Sequence, residues 1–263
     1  MASGDFLKKI GARHGVDPRV IAQENGLAAN AKLKPGQVLR IDNRHLVPMG
    51  RSNGIIVNIP QRMLFYLVNG QVESAFPIAP GKPAWQTPLG EFTILSKEKD
   101  KTWYVPPSIQ EEMRLEGKPV LTEVPPGPDN PLGRYWIGLS LPAIGIHGTL
   151  APTSLYDFRS HGCIRLHPDD VESLFPQISR GMPGDIVYQP ILFGVENGRV
   201  YLKAHRDVYG RGSANLRFAE RLASALGLYD RIDWAEASVV LKAREGVARD
   251  VSLEQQITAE NLY

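Results

Sequence analysis

The segment AIGIHGTLAPTSLYDFRSHGCIRL, residues 143–166, carries the features from which both fold and chemistry can be inferred. Its first five residues predict a β-strand that ends on His147, and a loop separates that strand from SHGCIRL, which contains Cys163. Because such a loop can arch between neighbouring strands, we expect His147 and Cys163 to meet at one edge of a sheet. Cys163 is the only cysteine among the 263 residues.

The isolated thiol of Cys163 allows three interpretations from the residues alone. A free cysteine is often buried and inert, and it can also bind a metal together with histidines such as His161 and His167. The spacing of these three residues is not a usual zinc pattern, and the chain has no second cysteine. The third interpretation is a nucleophile, which requires a nearby base or positive charge because a free thiol is mostly protonated at neutral pH.

The residues around Cys163 fit the nucleophile hypothesis. Gly162 permits a tight turn and close approach of a substrate carbonyl, and the amide of Cys163 suits an oxyanion hole. Arg165 would share a strand face with Cys163, where its guanidinium suits a substrate carboxylate. The adjacent His161 and the more distant His147 both remain candidates for the base.

The composition is that of an ordinary globular protein. The chain has 30 basic and 28 acidic side chains, a net charge of +2 and 43% apolar residues. This even charge gives no support for nucleic-acid binding. A single cysteine cannot form an internal disulfide. We find no apolar run long enough for a transmembrane helix, and no signal peptide is visible in this sequence.

Residues 54–189 predict the largest domain. MLFYLV and QVESAF flank Asn69-Gly70, a pair that favours a type I′ hairpin turn, and further strands are predicted at 90–95, 135–140, 143–147 and 184–189. Strands at this density, with few helices between them, predict a mainly antiparallel β-sandwich. Residues 96–134 form a proline-rich insertion with one short helical patch, which predicts a lid-like or binding segment.

Smaller units are predicted at both ends of the chain. Residues 1–44 predict a small α+β module of two short helices and a strand within LKPGQVLRI. Residues 190–258 predict an α+β appendage with a second Asn-Gly hairpin and two helices. Residues 259–263 end in ENLY, which resembles the beginning of a tobacco etch virus protease site and predicts a tag remnant. The predicted fold class is therefore mainly β with α+β units at both ends.

The phrases GDFLKKIGARHGVDPRVIAQENGL and LKPGQVLRI resemble the LysM domain, a module that recognises N-acetylglucosamine chains such as peptidoglycan. The family normally has a strand before its Gly-Asp pair, here Gly4-Asp5, and only three residues precede that pair in this sequence. The resemblance implies that residues 4–44 bind glycan strands. A helical packing module without a ligand is the alternative.

The phrase IHGT is followed by SHGCIRL, with sixteen positions from His147 to Cys163. This pattern resembles the signature of the L,D-transpeptidase (YkuD) catalytic domain. TPLGEFTI, TWYVPPSI and PGPDNPLG extend the similarity to envelope members from Gram-negative bacteria. The resemblance implies that Cys163 is the nucleophile, that His147 is the general base and that His161 only supports the site. The implied supporting or substrate-binding positions are Gly148, Ser160, His161, Gly162 and Arg165. Gly148 stands where some relatives have serine, so its carbonyl would hold the imidazole tautomer.

The resemblance also implies a reaction and a place for the protein. An L,D-transpeptidase acylates its cysteine with a peptidoglycan stem peptide and transfers the acyl group to an amine, without metal or organic cofactor, and carbapenems acylate the same thiol. The expected location is the periplasm or cell envelope, after export by a signal peptide that is not in this sequence. An L,D-carboxypeptidase, in which water is the acceptor, and a non-catalytic wall-binding scaffold are the alternatives.

Overall fold

Short β-strands provide most of the regular structure in the central part of the chain. The computed structural model describes residues 1–254, and the predicted tag remnant, residues 259–263, lies outside them. The strands are β1 (Gly54–Asn58), β2 (Met63–Val68), β3 (Gln71–Pro77), β4 (Gly90–Lys99), β5 (Trp103–Tyr104), β6 (Glu123–Val124), β7 (Tyr135–Leu139), β8 (Gly145–His147), β9 (Ile164–Arg165), β10 (Pro183–Val187), β11 (Ile191–Glu196), β12 (Arg199–Ala204) and β13 (Ala248–Asp250).

The helices are short and lie mainly at the two ends of the chain. The α-helices are α1 (Leu7–His14), α2 (Pro18–Glu24), α3 (Pro107–Leu115), α4 (Pro168–Leu174), α5 (Leu216–Ala225) and α6 (Trp234–Ala243). Single 3₁₀ turns occupy Pro83–Trp85, Pro152–Ser154, Phe175–Gln177 and Tyr229–Arg231. Within residues 1–254, every helix falls short of the length and apolar character that a membrane crossing requires.

Eight strands hydrogen-bond into one sheet in the order β3-β2-β1-β10-β4-β7-β8-β9. Most neighbouring pairs are antiparallel, but β1 pairs with β10, and β8 with β9, in parallel. The mainly β prediction is therefore confirmed, but the antiparallel β-sandwich is not, because the sheet is mixed. A tight hairpin cannot join two parallel strands. A long loop therefore connects β8 to β9, and α4 lies in the segment that leads from β9 to β10.

The hairpin of β2 and β3 forms one end of this sheet. Asn69 and Gly70 have φ angles of 50° and 77°, the positive values that a type I′ turn requires. The alternation of Ile55, Val57 and Ile59 predicts a strand here, and every residue of β1 is buried, so this strand is covered on both faces. Ile56, Phe65 and Leu67 pack together on one of these faces.

The described chain divides into two compact units. The first contains residues 1–40 and 49–188, and the second contains residues 41–48 and the described residues from Gln189 onward. Residues 1–40 of the predicted module 1–44 fall in the same compact unit as the β domain. Ala12 of α1 is buried against Ala79 and Leu155 of that domain, which joins the two parts.

The N-terminal helices have the capping features that their sequence predicts. The Asp17 side chain accepts a hydrogen bond from the Arg19 N–H at the start of α2, and Gly15 ends α1 with a φ of 64°. The strand predicted in LKPGQVLRI is absent from residues 33–41. Instead, the Asn25 side chain accepts from the Arg40 N–H and donates to its carbonyl, both at 2.8 Å. The Asn25 amide therefore satisfies the backbone N–H and carbonyl of Arg40, which a neighbouring strand would otherwise bind.

The insertion at residues 96–134 is folded back on itself. β5 pairs with β6, and α3 lies between them without a single buried residue. Asn130, which is 1% exposed, donates to the carbonyls of Lys101, Val124 and Pro125 and accepts from the Leu132 N–H. One buried amide thus closes both ends of the insertion.

The C-terminal unit packs two helices on a three-stranded sheet. β12 lies between β11 and β13, and the turn at Asn197-Gly198 has φ angles of 50° and 77°. The spacing of Leu216, Ala219, Leu222 and Leu226 predicts one apolar stripe along α5, and this prediction is wrong in part because Leu216 and Leu226 are each 40% exposed. Ala219 contributes to the core of this unit instead, since a small side chain allows close packing of the helix on the sheet.

Asp233 and Glu236 in the sequence predict a capping box at the start of α6, and this prediction is also wrong in part. The Asp233 side chain caps the helix by accepting from the N–H groups of Ala235 and Glu236. The Asp233 N–H, which Glu236 would bind in a capping box, donates instead to the Val251 carbonyl at 2.8 Å.

Candidate active site

The parallel pairing of β8 with β9 brings the predicted site residues onto one face of the sheet. His147 lies directly opposite Arg165 in the register of the two strands. Side chains two positions apart on an extended chain share a face, so Cys163 projects to the same side as Arg165.

His147 is 3% exposed and is held in one orientation. Its Nδ1 lies 2.7 Å from the Gly148 carbonyl, which can accept the Nδ1 proton, and the Pro131 carbonyl also hydrogen-bonds the imidazole. The ring stacks on Trp136 with centroids 5.8 Å apart and planes inclined by 25°. Burial, together with the nearby Arg165 charge, lowers the pKa of His147 to about 3, although the two carbonyls act in the opposite direction. The imidazole is therefore neutral at physiological pH.

The Cys163 thiol is partly accessible and is also neutral at rest. Its Sγ lies 3.7 Å from the Ala143 carbonyl. Desolvation raises the pKa of Cys163, while a hydrogen bond from the Gly145 backbone and the charge of Arg165 act in the opposite direction. Both groups are therefore neutral at rest, and the neutral imidazole is the form that can accept a proton.

Trp136 forms one wall of this site, and the sequence did not single it out. The register places Trp136 opposite His147, and its indole covers the backbone of Gly145. A Cβ at Gly145 would lie 2.3 Å from the indole. Glycine is thus required for the ring to lie flat against the strand and to support the imidazole.

Ser160 and Thr87 hold the turn that presents Cys163. The Ser160 hydroxyl donates to the Cys163 carbonyl and accepts from the Gly162 N–H at 3.1 Å. The buried Thr87 hydroxyl donates to the Gly162 carbonyl at 2.8 Å and accepts from the Gly81 N–H at 2.9 Å. Gly162 has a φ of 108°, a conformation that other residues rarely adopt. Thr87 begins the motif TPLGEFTI, but its role could not be deduced from that motif alone.

His161 points away from this pair and toward the insertion. Its Nε2 hydrogen-bonds the Glu112 carboxylate on α3, and its ring meets the edge of Trp85 at 5.2 Å. Glu112 also binds the Lys82 ammonium at 2.8 Å, and these contacts lower the pKa of the carboxyl group, the Lys82 contact most. His161 therefore connects the nucleophile turn to the insertion, and nothing in the sequence indicated Glu112 as its partner.

The structure does not assemble a metal site from the three residues considered in the sequence. His167 caps α4 by accepting from the Asp169 N–H, while His161 binds Glu112. In the part of the chain that the structure describes, no group of three or more His, Cys, Asp and Glu side chains converges as ligands.

A cavity of about 410 Å³ adjoins the site on the side of Gly148. The insertion contributes Arg134 to its lining, and α4 contributes Glu172. Tyr135 also lines the cavity, and its hydroxyl donates a hydrogen bond to the Glu172 carboxylate at 2.9 Å. There is thus room for a polar ligand beside the carbonyl that holds the imidazole.

A neutral cysteine–histidine pair on one face of a mainly β domain defines the class of a cysteine enzyme. The sequence profile of the YkuD L,D-transpeptidase catalytic domain matches residues 52–188, and that of the LysM domain matches residues 2–42. The chain therefore belongs to the L,D-transpeptidase (YkuD) family, and the resemblance found in its motifs is confirmed.

Relatives with this domain come from several bacteria. The probable L,D-transpeptidase ErfK/SrfK of Salmonella typhimurium is 28% identical over 94% of this chain and 82% of that protein. YcfS of Escherichia coli, also a probable L,D-transpeptidase, is 32% identical over 77% of this chain and 62% of its own length. The putative L,D-transpeptidase YkuD of Bacillus subtilis is 30% identical over 68% of this chain and 91% of that protein. A solved L,D-transpeptidase from Mycobacterium smegmatis aligns with a TM-score of 0.39 at 25% identity, over 51% of this chain and 57% of that one.

Proposed function

We propose that this protein transfers peptidoglycan stem peptides through a thioester on Cys163. The observation that carries the proposal is the parallel register of β8 and β9, which puts His147 and Cys163 on one face with the imidazole fixed by the Gly148 carbonyl. Nucleophile, base and orienting group are the three elements that a cysteine acyltransferase needs.

The reaction begins with the neutral pair. His147 takes the Cys163 proton as the thiolate attacks the carbonyl of the third residue of a donor tetrapeptide stem. The bond to D-alanine breaks, its amine leaves with the proton from His147, and a thioester remains on Cys163. An acceptor amine then gives a proton to His147 and attacks the thioester, which releases the thiol and forms the new amide bond.

Arg165 and the Cys163 backbone suit the charges of this reaction. No carboxylate of the described residues pairs with the Arg165 guanidinium, which is largely buried beside the thiol, so it suits a carboxylate of the stem peptide. The Cys163 N–H makes no hydrogen bond within residues 1–254, whereas Ser160 occupies that of Gly162. We therefore assign the Cys163 amide to the oxyanion hole and Ser160 to support of the turn.

The experiment is mass spectrometry of products from purified tetrapeptide muropeptides. Cross-linked dimers are the expected product, and tripeptides alone would favour the alternative L,D-carboxypeptidase, in which water attacks the thioester. Cys163→Ala should abolish both products and acylation by a carbapenem, while Ser179→Ala, an exposed substitution elsewhere in the domain, should leave both unchanged. If the unaltered protein is never acylated, the non-catalytic scaffold becomes the better interpretation.

We further propose that residues 4–44 bind glycan strands and that the protein works in the cell envelope, outside the cytoplasm. The LysM match and the relatives from Gram-negative bacteria support this location, with the periplasm as its specific form. The intact protein should sediment with peptidoglycan sacculi, and soluble N-acetylglucosamine hexamer should compete with that binding. Sedimentation that is insensitive to the hexamer would contradict glycan binding by this module.

A further inference from the structure

The N-terminal module touches the catalytic domain at the segments that carry the site. α1 packs on the 3₁₀ turn Pro152–Ser154, which lies in the loop between His147 and Cys163. Ala12 of α1 is 4% exposed and packs against Ala79 and Leu155, which are 0% and 2% exposed. The contact is therefore close-packed, and it falls on the loop that joins base and nucleophile.

Backbone hydrogen bonds continue from this contact to the catalytic strand. The Ala79 N–H donates to the Arg165 carbonyl at 2.9 Å, and the Arg165 N–H donates back to Ala79 at 3.1 Å. Arg165 in turn lies opposite His147 in the register of β9 and β8. Ala12 is thus separated from the site by a single hydrogen-bonded layer of main chain.

Two ion pairs fix the edges of the same contact. Lys8 Nζ lies 2.8 Å from Asp157 Oδ2, and both side chains are partly exposed. Arg13 Nη1 lies 2.6 Å from Asp170 Oδ1, whose side chain is 8% exposed at the start of α4. These partners flank the nucleophile turn in the sequence, one before Cys163 and one after it.

We propose that α1 is a positioning element of the active site, in which Ala12, Lys8 and Arg13 hold the segments around Cys163 in their reactive geometry. The module then has a second role besides retention on glycan, and this inference rests on the proposed acyl transfer at Cys163. Misplacement of a reacting group by remote changes lowers the rate more than it lowers binding, because the rate depends on fixed orientation.

The first test is the intact protein with Ala12→Gln, which wedges a longer side chain into the contact. Carbapenem acylation of Cys163, followed by intact-protein mass spectrometry without glycan, should slow by about tenfold in its limiting rate constant. The concentration for half-maximal rate should stay unchanged. Ala29→Gln, at an exposed position of the same module, is the matched control and should react as the unaltered protein does.

The second test exchanges the charges of an exposed pair, which keeps the proposal testable if the wedge prevents folding. Lys8→Asp alone should slow acylation by about twofold to fivefold, the range expected for an exposed ion pair. Adding Asp157→Lys should restore the rate, because it forms the ion pair again with the charges exchanged. Lys9→Glu is the control, because Lys9 pairs with Asp5 inside the module.

The outcomes separate this inference from the function on which it rests. Slow acylation in Ala12→Gln with recovery in the exchanged pair supports α1 as a positioning element. Normal acylation in every folded variant of Ala12 and Lys8 overturns it while leaving acyl transfer intact. Failure of the unaltered protein to acylate overturns the proposed function itself, and the positioning role with it.

Discussion

Lowering the pH should destabilise this protein through His147 in particular. Burial and the Arg165 charge lower the pKa of His147 from 6.5 to about 3, so the folded state resists a proton that the unfolded chain accepts. Stability from this group is fully present above pH 6.5 and is lost as the pH falls toward 3. Each pH unit across that window removes about 1.4 kcal/mol, and the whole window is worth on the order of 5 kcal/mol.

Urea unfolding of the unaltered protein and of His147→Gln isolates this contribution. Between pH 7 and pH 5 the unaltered protein should lose about 2 kcal/mol more free energy of unfolding than the variant, because glutamine does not titrate. The other ionisable groups are common to both proteins and cancel in the difference. NMR of the His147 ring should show no titration between pH 8 and pH 5.

Two results would refute this reasoning. Equal pH dependence in the two proteins would mean that His147 titrates alike in the folded and unfolded states. A ring titration centred near pH 6.5 would mean that the imidazole is solvated, which contradicts its burial under Trp136. Either result would also remove the basis for a neutral resting pair.

Three further changes test how the site is built. Gly145→Ala should displace the Trp136 indole from the strand, because the added methyl group would overlap the ring. The free energy of unfolding should fall by about 1–3 kcal/mol, and acylation should slow. An unchanged melting temperature would contradict the contact between Gly145 and Trp136. Thr87→Val keeps the shape but removes the hydroxyl that bonds both the Gly162 carbonyl of the nucleophile turn and the Gly81 N–H. Urea unfolding should show a loss of about 1–3 kcal/mol, and no loss would mean that solvent replaces the hydroxyl. His161→Ala should retain part of the acylation activity, and Glu112→Gln, which alters the same contact, should behave in the same way. Both variants should also show faster amide hydrogen exchange in α3. Complete inactivity of His161→Ala would identify His161 as the base instead.

The sequence predicted the local elements well because their causes are local. The Asn69-Gly70 turn and the two short helices within residues 1–44 each depend on residues within a few positions of one another. The sheet order depends instead on which distant strands pair. Alternating apolar residues are compatible with parallel or antiparallel neighbours, so the mixed sheet could not be deduced from the pattern.

The same distinction explains which parts of the site were found. His147 and Cys163 were recognisable because the motifs around them are short and specific. Trp136 and Glu112 act through space, from another strand and from the insertion, and no spacing in the sequence links them to the site. Ala12 is the extreme case, since an alanine in a helix gives no sign of the surface on which it packs.

The neutral state of Cys163 and His147 explains why the thiol is unreactive before a substrate binds. Burial raises the pKa of Cys163 and lowers that of His147, so proton transfer between them is unfavourable in the empty site. A neutral thiol reacts poorly with disulfides and oxidants, because the thiolate is the nucleophile. In the proposed mechanism, transfer becomes favourable when negative charge passes to a substrate carbonyl oxygen that accepts a hydrogen bond from the Cys163 amide. The geometry of the turn at Gly162 then governs the reactivity of the thiol, and the hydrogen bonds from Thr87 and Ser160 that fix this turn support that reactivity.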